Sequence, residues 1–124
     1  MTSRVSFLGE RSDVPDLLRA ADIFCQPNSG PEPFGIVFVE ALYAGLPVVT
    51  TDMGGPKEIV DASCGFLVAP EPAAVAAALR RLISEPALRK KLAEAAPARA
   101  RQLCDPQARI EEIAQAISSL ESRE

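Results

Sequence analysis

The chain has 124 residues, with 13 basic and 17 acidic side chains, three cysteines and no histidine. This length fits one domain at most, and a composition of 48% hydrophobic and 24% charged residues is typical of a globular chain. The formal charge of -4 argues against binding to a nucleic-acid backbone, which needs a surplus of Lys and Arg. Because the sequence contains no histidine, it excludes catalytic triads and zinc sites that depend on an imidazole.

The cysteines and the apolar runs give a first expectation about location. Cys25, Cys64 and Cys104 are far apart and show no CxxC spacing, so we expect free thiols in a reducing compartment and not a disulfide or a metal site. The first residues contain no apolar run typical of a signal peptide. No apolar stretch reaches the roughly 18 residues of a membrane span. We therefore expect a cytoplasmic protein.

Two parts of the chain differ in composition. Residues 1–70 contain all seven glycines and several short apolar runs, whereas residues 71–124 are rich in Ala, Leu, Arg and Glu. The first part predicts, in order, a strand at 5–8, a helix from 13, a strand at 23–25, a helix at 35–44, a strand at 47–50, a helical turn at 56–60 and a strand at 65–68. The second part predicts helices at about 72–84, 86–101 and 106–121. The expected fold is α/β, with a four-stranded parallel sheet that helices cover on both faces.

The most informative segment begins at Glu32, which lies in a loop between two prolines. Pro33 restricts Glu32 to extended conformations. A helix opens at the next glycine, so the loop should face the free N–H groups of its first residues, which are Phe34, Gly35, Ile36 and Val37. A loop that follows a parallel strand and leads into a helix N-terminus is where open α/β sheets bind phosphorylated ligands.

Glu40 is the only charged residue between Phe34 and Gly45, in a helix that is otherwise apolar. We therefore expect it to be buried, where its carboxylate must find donors or face a cavity. With Glu32 in the preceding loop, both carboxylates can border one ligand. The plainer interpretation has Glu32 in a solvated loop and Glu40 at an exposed helix edge, and the residue pattern alone leaves both interpretations open.

Glu32 and Glu40 form an E-x7-E pattern within the run EPFGIVFVEA. This run resembles the signature of the retaining group 1 glycosyltransferases of the GT-B fold, which include glycogen, starch and sucrose synthases and many bacterial mannosyl- and glucosyltransferases. The segments Val5–Gly9, Gly45–Val49 and Gly65–Pro70 are also similar to their counterparts in the family. The resemblance covers nearly the whole chain and implies a Rossmann-like sheet with a helical C-terminal tail.

The resemblance also implies a role for each site residue. Glu32 matches the first Glu of the motif, which contacts hydroxyls of the transferred sugar and supports an oxocarbenium-like transition state. Glu40 matches the second, which accepts hydrogen bonds from the ribose of the donor nucleotide. The amides of residues 34–37 match those that contact the donor sugar and diphosphate. The sequence has no Asp-x-Asp pair, in keeping with a family that needs no metal, so we expect no cofactor besides the nucleotide-sugar substrate.

The resemblance stops short of a whole enzyme. The family's enzymes have an acceptor domain followed by a donor domain, and this chain matches only the later part of the donor domain. Residues 1–70 correspond to its nucleotide-sugar-binding part and residues 71–124 to its helical tail. The Arg and Lys that neutralise the donor diphosphate in the family have no counterpart here. We therefore expect a single partial domain of a retaining hexosyltransferase, with negligible transfer by this chain alone.

Two alternatives from other functional classes stay open. One is a non-catalytic module that binds a nucleotide-sugar and works with a separate chain. The other is an oligomerising remnant without a ligand. A parallel sheet that is cut on one side exposes an edge, so we also expect self-association or strand exchange into a homodimer or a larger oligomer.

Two further motifs have two interpretations each. Gly54-Gly55-Pro56 is typical of a tight turn before a helix, and the less common alternative is the lining of a cleft. The basic runs Arg80-Arg81 and Arg89–Lys91 are typical of a solvated helix face, because Glu and Leu are interleaved with them at helical spacing. The alternative is contact with an anionic membrane surface, which would place a full-length enzyme at the membrane periphery.

Overall fold

The computed structural model describes residues 2–123. At its centre is a parallel sheet of three strands, β1 (Phe24–Gln26), β2 (Val48–Thr51) and β3 (Gly65–Val68), in that spatial order. The helices are α1 (Val14–Ala20), α2 (Ile36–Tyr43), α3 (Pro56–Ile59), α4 (Pro72–Ser84), α5 (Pro86–Leu103) and α6 (Pro106–Glu121), preceded by a 3-10 turn at Thr2–Arg4. The alternation of strands and helices that the sequence predicts over residues 13–70 is confirmed.

The central strand β2 aligns the other two. Val48 pairs with Phe24 on one side and with Gly65 on the other. Every residue of β2 is buried, since the strand has a neighbour on each side and helices above and below. A continuous run of buried Val and Thr is what a fully covered parallel strand requires.

Two apolar clusters cover the two faces of the sheet. The larger one contains Phe38 and Leu42 of α2, Val48 of β2 and Ile59 of α3, together with the C-terminal half of α5. The smaller one, on the opposite face, joins Val49 to α4 and to Leu92 of α5. Helix α5 therefore contributes to both clusters.

The predicted strand at residues 5–8 is wrong. This segment forms no regular element, and its apolar side chains Val5, Phe7 and Leu8 are exposed, Phe7 to 96%. An apolar run becomes a strand only where a neighbouring strand accepts and donates its backbone hydrogen bonds, and this segment pairs with no strand of the described chain. The sheet accordingly has three strands where the sequence predicts four.

The helical part agrees closely with the sequence. Helices α4, α5 and α6 each begin at a proline, at Pro72, Pro86 and Pro106, where the missing N–H costs nothing because the first turn has no intrahelical acceptor. Helix α5 runs on through Pro97 to Leu103, two residues beyond the predicted end. Among the described helices, none combines the length and the apolar character needed to cross a bilayer.

The basic runs on α4 and α5 take part in contacts within the chain. Arg81 pairs with Glu85 and lies over the ring of Phe66, 5.2 Å from its centroid. Arg89 donates a hydrogen bond of 2.8 Å to the carbonyl oxygen of Leu82 and so satisfies the C-terminal end of α4. Lys90 also lies 3.8 Å from the carboxylate of Glu94, so three of the five basic residues in these runs contact groups of the same chain.

Candidate functional site

Helix α2 starts at a glycine because its first turn is tightly packed. Gly35 precedes the helix in the left-handed region, with φ at 83°, which glycine adopts without the steric cost of a Cβ. A Cβ at this position would lie 2.5 Å from a ring atom of Phe38. The N–H of Phe38 donates to the carbonyl oxygen of Gly35 at 3.0 Å and closes the first turn. The predicted opening of the helix at Gly35 is therefore confirmed.

The N-terminus of α2 presents unpaired donors. The backbone N–H groups of Ile36 and Val37 bond to no acceptor within residues 2–123. Phe34 and Ile36 at this end of the helix are 48% and 66% exposed, whereas Gly35 between them is buried. Free N–H groups and the positive end of the helix dipole make such a terminus a favourable place for an anion such as a phosphate.

Glu32 lies in the loop that faces this helix end. Its residue is half-buried, and its backbone forms an isolated parallel bridge with Gly54. Its carbonyl oxygen accepts a hydrogen bond of 2.6 Å from the N–H of Gly55. The loop that carries Glu32 is thus attached through its backbone to Gly54 and Gly55, in the segment after β2. Gly55 directly precedes α3, which Pro56 begins, so the interpretation of Gly54-Gly55-Pro56 as a tight turn before a helix is confirmed. The cleft-lining interpretation stays a prediction.

The expectation that Glu40 is buried is wrong, because its residue is exposed. Helix α2 buries Phe38, Val39, Ala41 and Leu42. Its outer face carries Ile36, Glu40 and Tyr43 at i, i+4 and i+7 spacing, and all three are exposed. Most residues of α2 are apolar, but only one face of the helix packs against the core. Glu40 lies on the other face, where its carboxylate stays in contact with water.

Glu40 thus lies at an exposed helix edge, as the plainer interpretation predicts, and it also lines a cavity. The cavity has a volume of about 530 Å³ and lies between α1 and the outer face of α2, within the size range of small-molecule sites. Helix α1 contributes the apolar residues Val14, Pro15 and Leu18 to its wall. Its polar groups besides Glu40 come from Arg11, Ser12, Arg19 and Tyr43.

Two cations contribute to this cavity. Arg19 pairs with Asp16 at 2.5 Å. Arg11 donates hydrogen bonds of 2.6 and 2.5 Å to the two carboxylate oxygens of Asp13, and this contact raises the pKa of Arg11 and lowers the pKa of Asp13. Sequence reasoning missed the cavity's polar residues other than Glu40, because only the packing of α1 beside α2 brings them there. The only available signal was Tyr43, three residues after Glu40 on the same helix face.

Glu32 lies in the loop before α2 and Glu40 on the helix itself, and the two carboxylates do not share the cavity. Glu32 does not line it and precedes the N-terminus of α2, whereas Glu40 lies in the second turn. Glu40 is four positions after Ile36, which corresponds to about 6 Å along the helix axis. The free N–H groups of the helix lie between them. Along α2 the order is a carboxylate, a set of backbone donors and a second carboxylate beside a cavity, which suits an elongated ligand with an anionic centre.

Within residues 2–123, no three Cys, Asp or Glu side chains are grouped so that they could hold a metal ion.

Comparison with known sequences identifies the family. Residues 1–99 match the family described as "Glycosyl transferases group 1". The chain is 40% identical over 95 residues to the phosphatidyl-myo-inositol mannosyltransferase of Mycobacterium leprae, covering 73% of this chain and 25% of that protein. It is 37% identical over 90 residues to the human alpha-1,3/1,6-mannosyltransferase ALG2, covering 72% of this chain and 22% of the relative. The chain thus spans about a quarter of the length of these relatives.

Solved structures agree with the sequence comparison. The crystal structure of Anabaena Alr3699/HepE in complex with UDP matches with a TM-score of 0.89 and 38% identity, over 95% of this chain and 33% of that one. Sucrose-phosphate synthase from Thermosynechococcus elongatus matches with a TM-score of 0.85 and 28% identity, over 98% of this chain and 31% of that one. The expected fold class, a partial Rossmann-like parallel sheet with flanking helices and a helical C-terminal part, is confirmed. The chain belongs to the group 1 glycosyltransferases.

Proposed function

We propose that the chain binds a nucleoside-diphosphate sugar and that, in a longer protein which also supplies an acceptor site, the sugar is transferred with retention of configuration. The observation that carries this proposal is the position of Glu40, the single charged residue of α2, on an open cavity beside the helix. The similarity to a protein crystallised with UDP supports it. An exposed carboxylate in a cavity is well suited to accept hydrogen bonds from the paired hydroxyls of a ribose.

The order of groups along α2 matches the order of groups in such a donor. The ribose lies against Glu40, and the diphosphate takes the free N–H groups of Ile36 and Val37. The sugar then extends past the helix N-terminus towards Glu32. The positive end of the helix dipole stabilises the charge that develops on the departing diphosphate.

Glu32 acts on the sugar in this proposal. Its carboxylate accepts hydrogen bonds from sugar hydroxyls and stabilises the positive charge that develops at the anomeric carbon. The half-buried position of Glu32 strengthens this electrostatic effect, because charges interact more strongly where water is partly excluded. Its backbone attachment to Gly54 and Gly55 holds the carboxylate in place before the donor arrives.

We infer that donor binding needs no metal, since the sequence lacks an Asp-x-Asp pair and backbone donors are available for the diphosphate. Addition of EDTA should then leave the dissociation constant of the donor unchanged. A donor affinity that falls on chelation and returns with Mg²⁺ or Mn²⁺ would contradict this part of the proposal.

This chain spans only part of the length of its relatives, which limits the activity that we expect of the chain alone. It covers 33% of the UDP-bound structure and 25% of the mannosyltransferase, and we place the acceptor site in the part that it does not cover. We therefore expect donor binding by the chain and negligible sugar transfer. A non-catalytic module that works with a separate chain is the alternative, and detection of donor binding without any transfer in a longer protein would favour it.

The proposal is tested by calorimetric titration of the chain with UDP, GDP and ADP and with the corresponding glucose and mannose conjugates. One nucleotide should bind, and Glu40→Ala should weaken its binding about 10- to 100-fold, the loss expected when charge-assisted hydrogen bonds are removed. Glu94→Ala, on the exposed face of α5, is the matched control and should leave the affinity unchanged. Equal affinities in the two variants would overturn the ribose assignment.

Self-association through the sheet is a separate part of the proposal. Strand β1 lies at one end of the strand order and pairs only with β2 among the described strands. Its other edge therefore has backbone groups that a second copy could pair with. Sedimentation equilibrium at rising concentration should show a dimer or a larger species, and a monomer throughout would contradict the expectation.

A further inference from the structure

The loop that carries Glu32 is held by backbone contacts with a distant pair of glycines. Gly54 forms the parallel bridge with Glu32, and the N–H of Gly55 donates the hydrogen bond of 2.6 Å to the carbonyl oxygen of the same residue. The two segments are thus joined main chain to main chain, without an intervening side chain. We refer to Gly54 and Gly55 together as the glycine pair.

There is no room for a side chain at either glycine. A Cβ at Gly54 would collide with the carbonyl oxygen of Glu32 and lie 2.8 Å from its nitrogen. A Cβ at Gly55 would lie 2.7 Å from the Cα of Phe34 and 2.7 Å from the carbonyl oxygen of Pro33. All these atoms belong to the backbone, so they cannot rotate away as the end of a flexible side chain does. Any other residue at these positions must displace the loop or the glycine segment.

The segment behind the glycine pair is firmly anchored. Pro56 follows it directly, is buried and begins α3. The other end of α3 is tied to α5, because the guanidinium of Arg99 donates to the carbonyl oxygens of Glu58 and Ile59. Since α3 is fixed at both ends, a clash at the glycine pair should displace mainly the loop that carries Glu32.

The opposite side of the loop is equally close-packed. An added Cβ at Gly35 would lie 3.2 Å from the Cγ of Glu32 and even nearer to the ring of Phe38. The stem of the Glu32 side chain therefore lies between the start of α2 and the glycine pair. A displacement of the loop by a few tenths of an ångström moves the carboxylate relative to the N-terminus of α2.

We propose that Gly54 and Gly55 are positioning residues for Glu32 and that they thereby set how well the site distinguishes a sugar-bearing donor from the free nucleoside diphosphate. This rests on the proposed function, in which Glu32 faces the sugar and Glu40 the ribose. Displacement of the loop acts on the sugar end of the ligand. The ribose end, held by the outer face of α2, keeps its contacts.

The test compares Gly54→Ala and Gly55→Ala with Gly30→Ala in the full chain. Gly30 is a matched control, because an added Cβ there meets nothing within 4 Å and its φ is not in the left-handed region. Dissociation constants are measured by NMR titration for UDP against UDP-glucose and for GDP against GDP-mannose. The affinity of the sugar conjugate relative to its free nucleotide should fall about tenfold in the first two variants, with nucleotide affinity within about twofold of wild type. Gly30→Ala should leave both quantities unchanged.

Two results would overturn the proposal. One is a wild-type affinity ratio in Gly55→Ala. Alanine adopts the φ of -54° and ψ of -35° at this position without strain, so this variant introduces only the steric clash with the loop. The other concerns the glycine variants made in a chain that already carries Glu32→Ala. If they still lower the affinity of the sugar conjugate relative to the free nucleotide about tenfold, the glycines do not act through Glu32, because its carboxylate is absent there.

A further measurement uses the wild-type chain without ligand, so it does not depend on whether the glycine variants fold. Hydrogen exchange in the wild-type chain should be slow at the amide of Gly55, whose N–H is bonded to Glu32, and fast at the unbonded amide of Ile36. Fast exchange at Gly55 would overturn the attachment itself. If the wild type binds no nucleotide-sugar while Gly55 is protected, the proposed function fails and the attachment of the loop stands.

Discussion

Arg99 donates a hydrogen bond of 2.9 Å from its Nε to the carbonyl oxygen of Ile59, 40 residues earlier in the chain. A second bond of 2.8 Å goes to the carbonyl oxygen of Glu58, and the guanidinium lies 3.4 Å from the carboxylate of Asp61. One side chain of α5 thus satisfies the C-terminal carbonyls of α3. These carbonyls have no intrahelical donor of their own, so the contact with Arg99 stabilises a helix of only four residues.

Replacement of Arg99 by Ala should lower the free energy of unfolding by about 2 kcal/mol, because it removes hydrogen bonds from a charged donor to one partly buried and one exposed carbonyl. Urea denaturation followed by circular dichroism measures the change. Arg101→Ala is the control, since Arg101 is exposed on the same helix and should change the stability by less than about 0.5 kcal/mol. Equal stabilities of the two variants would show that the contact contributes nothing.

Replacement of Phe38 by Ala should destabilise the fold by about 3–5 kcal/mol, because it leaves a cavity in the core. Phe38 is fully buried and packs edge-on against Phe24, with ring centroids 5.8 Å apart. Chemical denaturation gives the value. Phe7→Ala removes the same side chain from a position that is 96% exposed, and a loss there as large as at Phe38 would contradict the assignment of the core.

Removal of the Ser63 hydroxyl should raise the pKa of Asp61 part of the way to its usual value. Burial raises the pKa of Asp61, but hydrogen bonds from Ser63 and the charge of Arg99 outweigh this effect and hold the pKa below its usual range. A carboxyl group with a lowered pKa in the folded state stabilises the fold above its unfolded-state pKa and loses this contribution as the pH falls through the folded value. Stability should therefore decline below about pH 4, and less steeply in Ser63→Ala.

Carbon NMR of the Asp61 carboxyl group measures this titration directly. Ser84→Ala is the control, because the Ser84 hydroxyl donates to the carbonyl oxygen of Arg80 and not to a carboxylate. If Ser63→Ala and Ser84→Ala both leave the titration of Asp61 unchanged, the hydrogen bonds from Ser63 do not set its pKa.

Cys64 should be the slowest of the three free thiols to react with iodoacetamide under native conditions. Burial raises the pKa of both Cys64 and Cys25 and so lowers the thiolate fraction of each. Cys64 differs in access, because it is buried whereas Cys25 and Cys104 are half-buried. Peptide mass spectrometry after timed alkylation measures the three rates. In concentrated urea they should become similar, and native alkylation of Cys64 as fast as in urea would contradict its burial.

The residues that begin and end each element made much of the fold predictable. Strand β3 and helices α4 and α6 have the predicted limits. Prolines mark the first residue of both helices, and the run of apolar residues that Gly65 begins marks the strand. Such signals are local, acting through the backbone angles of one or two residues. The run Val5–Leu8 looked equally like a strand, but its pairing depends on a neighbour that no local signal supplies.

The candidate site divides in the same way. The sequence by itself determined that a carboxylate in a proline-restricted loop precedes the glycine-opened N-terminus of α2, and that Glu40 is the single charge on that helix. Only the tertiary structure decided that Glu40 is exposed on a cavity beside α1 and that Gly54 and Gly55 hold the loop of Glu32. The physical reason is that residue type and spacing specify local backbone geometry, whereas exposure and close contact depend on which distant segments pack against an element.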